Sequence, residues 1–146
     1  MAKVNSVEVT PPDDSEALKG VKTIKVVYDI NAVTEPQKMI NKLKGIIDAR
    51  DRALALKVKS VLVIEIRGPA LGFMLKPGPE ATIEQRQIGE LISELKKEGA
   101  KIDACSFAAK SQNLDPASFL PGVKVVGNTF NSLGGYQAKG YGVISA

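Results

Sequence analysis

Ser60-Val61-Leu62-Val63-Ile64-Glu65-Ile66, closed abruptly by Arg67-Gly68-Pro69, decides the fold. Its apolar character barely alternates, which marks a strand covered on both faces. Strands of that kind belong to parallel sheets, whose crossovers lay helices over the sheet. Toward the N-terminus, Thr23-Ile24-Lys25-Val26-Val27-Tyr28-Asp29-Ile30 is a second β-branched run. Between the two, Met39, Ile40, Leu43, Ile46, Ile47 and Leu54 recur at three-to-four spacing, the buried face of a helix. Thr34 with Gln37 reads as a capping box opening that helix, with Pro36 tolerated in its first turn. Arg50 and Arg52, with Asp48 and Asp51, fall on or beside its wetter side.

Toward the C-terminus, residues 68–80 hold three glycines and three prolines and read as a loop. Its Ala70-Leu71 and Phe73-Met74-Leu75 either pack down or cover a subunit interface. Thr82 and Gln85 form another capping box ahead of Ile88, Leu91, Ile92 and Leu95, and Gly99 stands where a left-handed C-terminal cap belongs. Lys101-Ile102-Asp103-Ala104-Cys105 is the third strand. Asp115-Pro116 opens a short helical turn that Pro121-Gly122 stops. Residues 123–126 and 141–144 are the fourth and fifth strands. A helix over 128–139 joins them, although Gly134-Gly135 costs it about 2 kcal/mol relative to alanine. The alternation predicts an α/β fold: a single-domain, three-layer sandwich of about five mostly parallel strands with helices on both faces. Residues 1–21, containing Thr10-Pro11-Pro12-Asp13-Asp14, read as a flexible or partly extended N-terminal arm in which Val4, Val7 and Val9 suit a short strand. The folded domain is 22–146.

Composition removes whole classes of chemistry. The 146 residues contain no histidine, which excludes Ser-His and Cys-His nucleophile pairs and imidazole metal sites. One cysteine, Cys105, leaves no intramolecular disulfide and no multi-cysteine zinc or iron–sulfur site. No metal and no cofactor are expected. No stretch approaches the roughly 20 apolar residues of a membrane span, and Met1-Ala2-Lys3-Val4-Asn5 lacks the apolar core of a secretory signal. The expectation is a cytoplasmic protein with no membrane partner. A net charge of +4 is too modest for nucleic-acid binding, and three Tyr, four Phe and no Trp make no stacking platform.

Cys105 ends the third strand, at the carboxyl edge where open α/β sheets bind ligands. Backbone N–H groups of the following turn, or the Lys110 ammonium, lower the pKa of a thiol so placed; Ser106 and Lys110 are the candidate supports. The competing reading is a buried, inert cysteine. Asp29 after the first strand, Gly68 and Pro69 after the second and Asn128 after the fourth share that edge and form a candidate pocket. Asn128 and Thr129 also read as helix caps. Asp103, two residues before Cys105, shares its face, and a carboxylate there raises a thiol's pKa. Residues 68–72 lack the spacing of a dinucleotide fingerprint, and Gly78-Pro79 is no P-loop.

Gly99-Ala100-Lys101-Ile102-Asp103-Ala104-Cys105, then Asn113-Leu114, then Phe119-Leu120-Pro121-Gly122-Val123-Lys124-Val125-Val126, resembles the DsrE/DsrF-like family of sulfur-relay proteins. Lys25-Val26-Val27-Tyr28-Asp29-Ile30, Gly68-Pro69 and Tyr136-Gln137-Ala138-Lys139-Gly140-Tyr141-Gly142-Val143-Ile144 extend the resemblance over 22–146. It implies a flavodoxin-like fold and a homo-oligomer of three or six chains. It also implies a persulfide on Cys105 that passes to or from a small TusA-like sulfur-carrier protein, the work of a sulfurtransferase-type carrier. The alternative is a non-catalytic homo-oligomeric module binding a small anion or nucleotide, with Cys105 structural. Replacing Cys105 by Ser separates the two: a carrier fails and a binding module keeps its ligand.

Overall fold

Those apolar runs fold, in a computed structural model that describes residues 11–146, into five strands and four α-helices among the described residues. In chain order they are β1 (Thr23–Ile30), α1 (Pro36–Ala55), β2 (Lys59–Ile66), a 3-10 segment (Gly68–Met74), α2 (Ile83–Lys97) and β3 (Lys101–Cys105). Then come α3 (Ser106–Ser111), a 3-10 turn (Pro116–Ser118), β4 (Val123–Val126), α4 (Thr129–Ala138) and β5 (Gly142–Ser145). Val4, Val7 and Val9 lie outside the described residues. Residues 14–21 make a helical turn, with the Leu18 amide on the Asp14 carbonyl at 3.0 Å and the Val21 amide on that of Leu18 at 2.9 Å.

The five described strands are parallel, in the order β4-β3-β2-β1-β5. The chain steps outward from β1 to β4 and then returns past β1 to β5. Right-handed crossovers therefore lay α1 and α2 over one face and α4 over the other, which gives the three layers. The α1/α2 face holds the core: Val26, Ile30, Leu62, Ile64, Ile66, Ile102 and Ala104 of the sheet meet Met39, Ile40, Leu43 and Ile46 of α1 and Ile88, Ile92 and Leu95 of α2.

The face beneath α4 has another character. Register partners in a parallel sheet project to the same side, and Asp29, Glu65, Asp103 and Lys124 are successive partners across β1, β2, β3 and β4. This polar row shares its face with Cys105.

Four expectations need correction. Pro36 takes the first position of α1 and holds Glu35 in extended backbone (φ −116°, ψ 133°), so Glu35 is the N-cap and Thr34 caps nothing. Leu54 is 65% exposed because the last turn of α1 buries Ala53 instead. Residues 68–74 are a 3-10 segment, not loop, and bury Ala70, Leu71 and Met74 in the core; the packing-down alternative holds for them. A helix, α3, begins immediately after Cys105 where the sequence suggested only a turn.

Candidate functional site

Cys105 closes β3 and is the residue from which α3 starts. Two loops meet over it. The Phe107 amide donates to the Gly127 carbonyl at 3.1 Å, tying the start of α3 to the approach of α4. Asn128 caps α4, its Oδ1 accepting from the Phe130 amide at 3.0 Å, which fixes Thr129 as the helix's first residue. The Thr129 amide then donates to Cys105 Sγ at 3.5 Å. Thr129 is fully buried, and its Oγ1 has no hydrogen-bond partner among the described residues.

Burial pushes the Cys105 thiol up, but donors reverse the balance: the amides of Thr129, Ala108 and Phe107 and the Thr129 hydroxyl hold it below the ordinary thiol value. Cys105 is only 3% exposed. It lines a cavity of about 200 Å³, together with Arg67, Gly68, Phe107, Asn128, Thr129 and Phe130, so what reaches the sulfur enters there.

Arg67 extends from the end of β2 and is held bidentately by Asp29, Nε to Oδ1 at 3.0 Å and Nη2 to Oδ2 at 3.1 Å. Its guanidinium carbon sits 5.3 Å from the centre of the Phe130 ring. Hydrogen bonding to Asp29 raises the Arg67 pKa against the opposing effect of burial, and the Asp29 and Cys105 charges add to the rise.

The residues read from the sequence are distributed around this geometry. Gly68 and Asn128 line the cavity, and Asp29 reaches it through Arg67. Gly68 is left-handed at φ +60°, and a Cβ there would run into Oδ1 of Asn31. Pro69 lies in the 3-10 segment outside the cavity wall, as do Ser106 and the exposed Lys110 on α3. Arg67 and the hydroxyl of Thr129 were not legible as site residues. The available signal was an arginine leaving a buried strand at the edge already marked for ligands.

One pleat away from the thiol on the same face, Glu65 is fully buried beside Asp103, which is 5% exposed. Burial first, and Asp103 second, push the Glu65 carboxyl up to about 9, with Ser132 opposing. Neither Glu65 oxygen meets a hydrogen-bond partner among the described residues, which suits a neutral, protonated acid better than a buried carboxylate. Asp29 and Asp103, the two carboxylates picked out in the sequence, thus flank Glu65 in one row.

The family model for the DsrE/DsrF-like family matches residues 25–146, and the chain belongs to that family. No curated protein matches it. Among solved structures it is similar to the protein of unknown function MTH1491 from Methanobacterium thermoautotrophicum, at 16% identity and a TM-score of 0.68. That match covers 84% of this chain and 99% of the other. It is also similar to the ychN protein from E. coli, at 15% identity and a TM-score of 0.63, over 85% of this chain and 99% of the other. Likeness at such identity shows the fold, the flavodoxin-like α/β sandwich.

Proposed function

We propose that this protein is a sulfur-relay protein that carries sulfur as a persulfide on Cys105. The observation that carries the reading is a thiol facing a cavity with the Thr129 amide on its sulfur, next to a buried Thr129 hydroxyl that no other described residue engages. Those donors favour the thiolate, which is the nucleophile in sulfur exchange. The cavity of about 200 Å³ gives the second sulfur of a persulfide a place beside Cys105. In loading, the Cys105 thiolate attacks the outer sulfur of a donor R–S–S⁻. The new Sγ–S bond forms as the donor's S–S bond breaks, and that bond's electron pair leaves on R–S⁻. Charge and electrons balance, and unloading is the reverse step. No second cysteine, metal or general base takes part.

Family membership supports a small TusA-like carrier as the exchange partner, in the cytoplasm. A homo-oligomer of three or six chains is supported by the sheet edges. β5 is exposed along its length, with Val143 at 40% and Ile144 at 47%, and Val125 on the opposite edge strand β4 is 37% exposed. Apolar edge strands that no described residue pairs are templates for association.

Intact-protein mass spectrometry after brief exposure to inorganic polysulfide tests the function. The native chain gains sulfur atoms that reductant removes, and Cys105→Ser gains none. A folded sample that takes up no sulfur overturns the reading.

A further inference from the structure

Sulfur loading of this kind brings two anions together: a thiolate and a donor whose terminal sulfur is also negative. At bonding distance two like charges repel, so an exchange site of this chemistry gains from a fixed cation beside them. Among the residues lining the Cys105 cavity, Arg67 is the only one with a formal positive charge. Asp29 claims Nε and one Nη2 hydrogen, and the two hydrogens of Nη1 meet no hydrogen-bond partner among the described residues. Two contacts fix the guanidinium, the bidentate Asp29 pair on one side and the Phe130 ring on the other. Phe130 and Phe107, 67% and 68% exposed, stand at the cavity and offer no charge of their own.

We infer that Arg67 is a catalytic residue of the sulfur exchange, seating the donor through its terminal sulfur anion opposite Cys105, with Asp29 as the residue that positions it. This rests on the persulfide reading. It adds the class of donor the cavity admits: one whose reacting end is anionic. A neutral electrophile at the same sulfur leaves the Nη1 hydrogens unused and gains nothing from Arg67.

The test uses the full-length native protein and does not require sulfur transfer. Cys105 is alkylated under native conditions with iodoacetate, an anion, and with iodoacetamide, its neutral counterpart, and the ratio of rates is compared among variants. Arg67→Gln lowers the iodoacetate-to-iodoacetamide ratio by about five-fold or more, the factor that one unit charge about 4 Å away supplies even at the dielectric of water. Arg67→Lys recovers much of it, and Lys44→Gln, which removes an exposed charge on α1, leaves it unchanged. Should Arg67→Gln fail to fold because Asp29 loses its partner, the wild type alone still decides. Its ratio falls as salt is raised to about 1 M, where charges are screened within roughly 3 Å. A ratio insensitive to both salt and Arg67 overturns the assignment whatever the sulfur-loading result. Loading from inorganic polysulfide and from a persulfidated cysteine peptide then tells a free donor from a carrier-borne one. Both are slowed in Arg67→Gln, and equal loading in wild type and variant also overturns the assignment.

Discussion

At the scale of single residues, the Thr129 hydroxyl tests how the thiol is tuned. It is buried without a hydrogen-bond partner among the described residues and helps to hold the thiol down, so Thr129→Val keeps the shape and the amide while removing a donor to the thiolate. A hydrogen bond to a charged group is worth about 1.5–3 kcal/mol, so the pH midpoint of Cys105 alkylation rises by about one unit or more in this variant. Glu65 gives the pH dependence of stability. Its folded-state pKa, about 9, lies above the ordinary carboxyl value of 4.5, so its contribution is fully present below about 4.5 and is lost as pH rises toward 9. Glu65→Gln, neutral throughout, flattens that decline: its thermal midpoint matches or exceeds the wild type's, and the gap widens from about pH 5 to about pH 8. A gap that narrows with rising pH contradicts the buried, protonated acid. That Cys105, Gly68 and Asn128 would meet at one cavity was legible because strand ends in an α/β order fall on one edge. Glu65 and Arg67 were not, because an acid inside an apolar run and an arginine at its end become partners of Asp103 and Asp29 only through strand register. Register is a property of the sheet and no single run states it.

At the scale of elements, the two Thr-x-x-Gln patterns of the sequence separate cleanly. At α2 both arms of the capping box are made, the Gln85 amide to Thr82 Oγ1 at 3.1 Å and the Thr82 amide to Gln85 Oε1 at 2.9 Å. At α1, Pro36 shifts the start and leaves Gln37 to bond Asn41. Thr82→Ala therefore costs about 1 kcal/mol in urea unfolding and Thr34→Ala close to nothing; equal losses would contradict the cap assignment. The sequence could not show α3, whose six residues span fewer than two turns and carry no readable period. Yet α3 matters to the site, since its first amides join that of Thr129 in holding the thiol down. The 3-10 segment after β2 was hidden for another reason: its glycines and proline read as loop, while Ala70, Leu71 and Met74 find the core only when α2 and α3 close over them.

At the scale of the whole molecule, the order β4-β3-β2-β1-β5 leaves the two faces unequal. One is an apolar core under two long helices, and the other is a polar row under the ten-residue α4 with Gly134 and Gly135 inside it. The parallel sheet and its helical layers were legible from alternation and from the unbroken apolarity of β2. The inequality of the faces was not, because it depends on which side β5 takes. With β4 and β5 as exposed edges, multi-angle light scattering should give three or six times the chain's 15.5 kDa; a monomer at micromolar concentration contradicts the proposed assembly. The central claim is that this fold makes a reactive thiolate of a cysteine that is 97% covered. The measurement that meets it most directly is the rate of Cys105 alkylation by iodoacetamide across pH in the native protein, because it needs no knowledge of donor or partner. The account predicts labelling in the folded state, with a midpoint below that of a free cysteine peptide measured alongside. Labelling that waits for unfolding, or a midpoint above the peptide's, would contradict it.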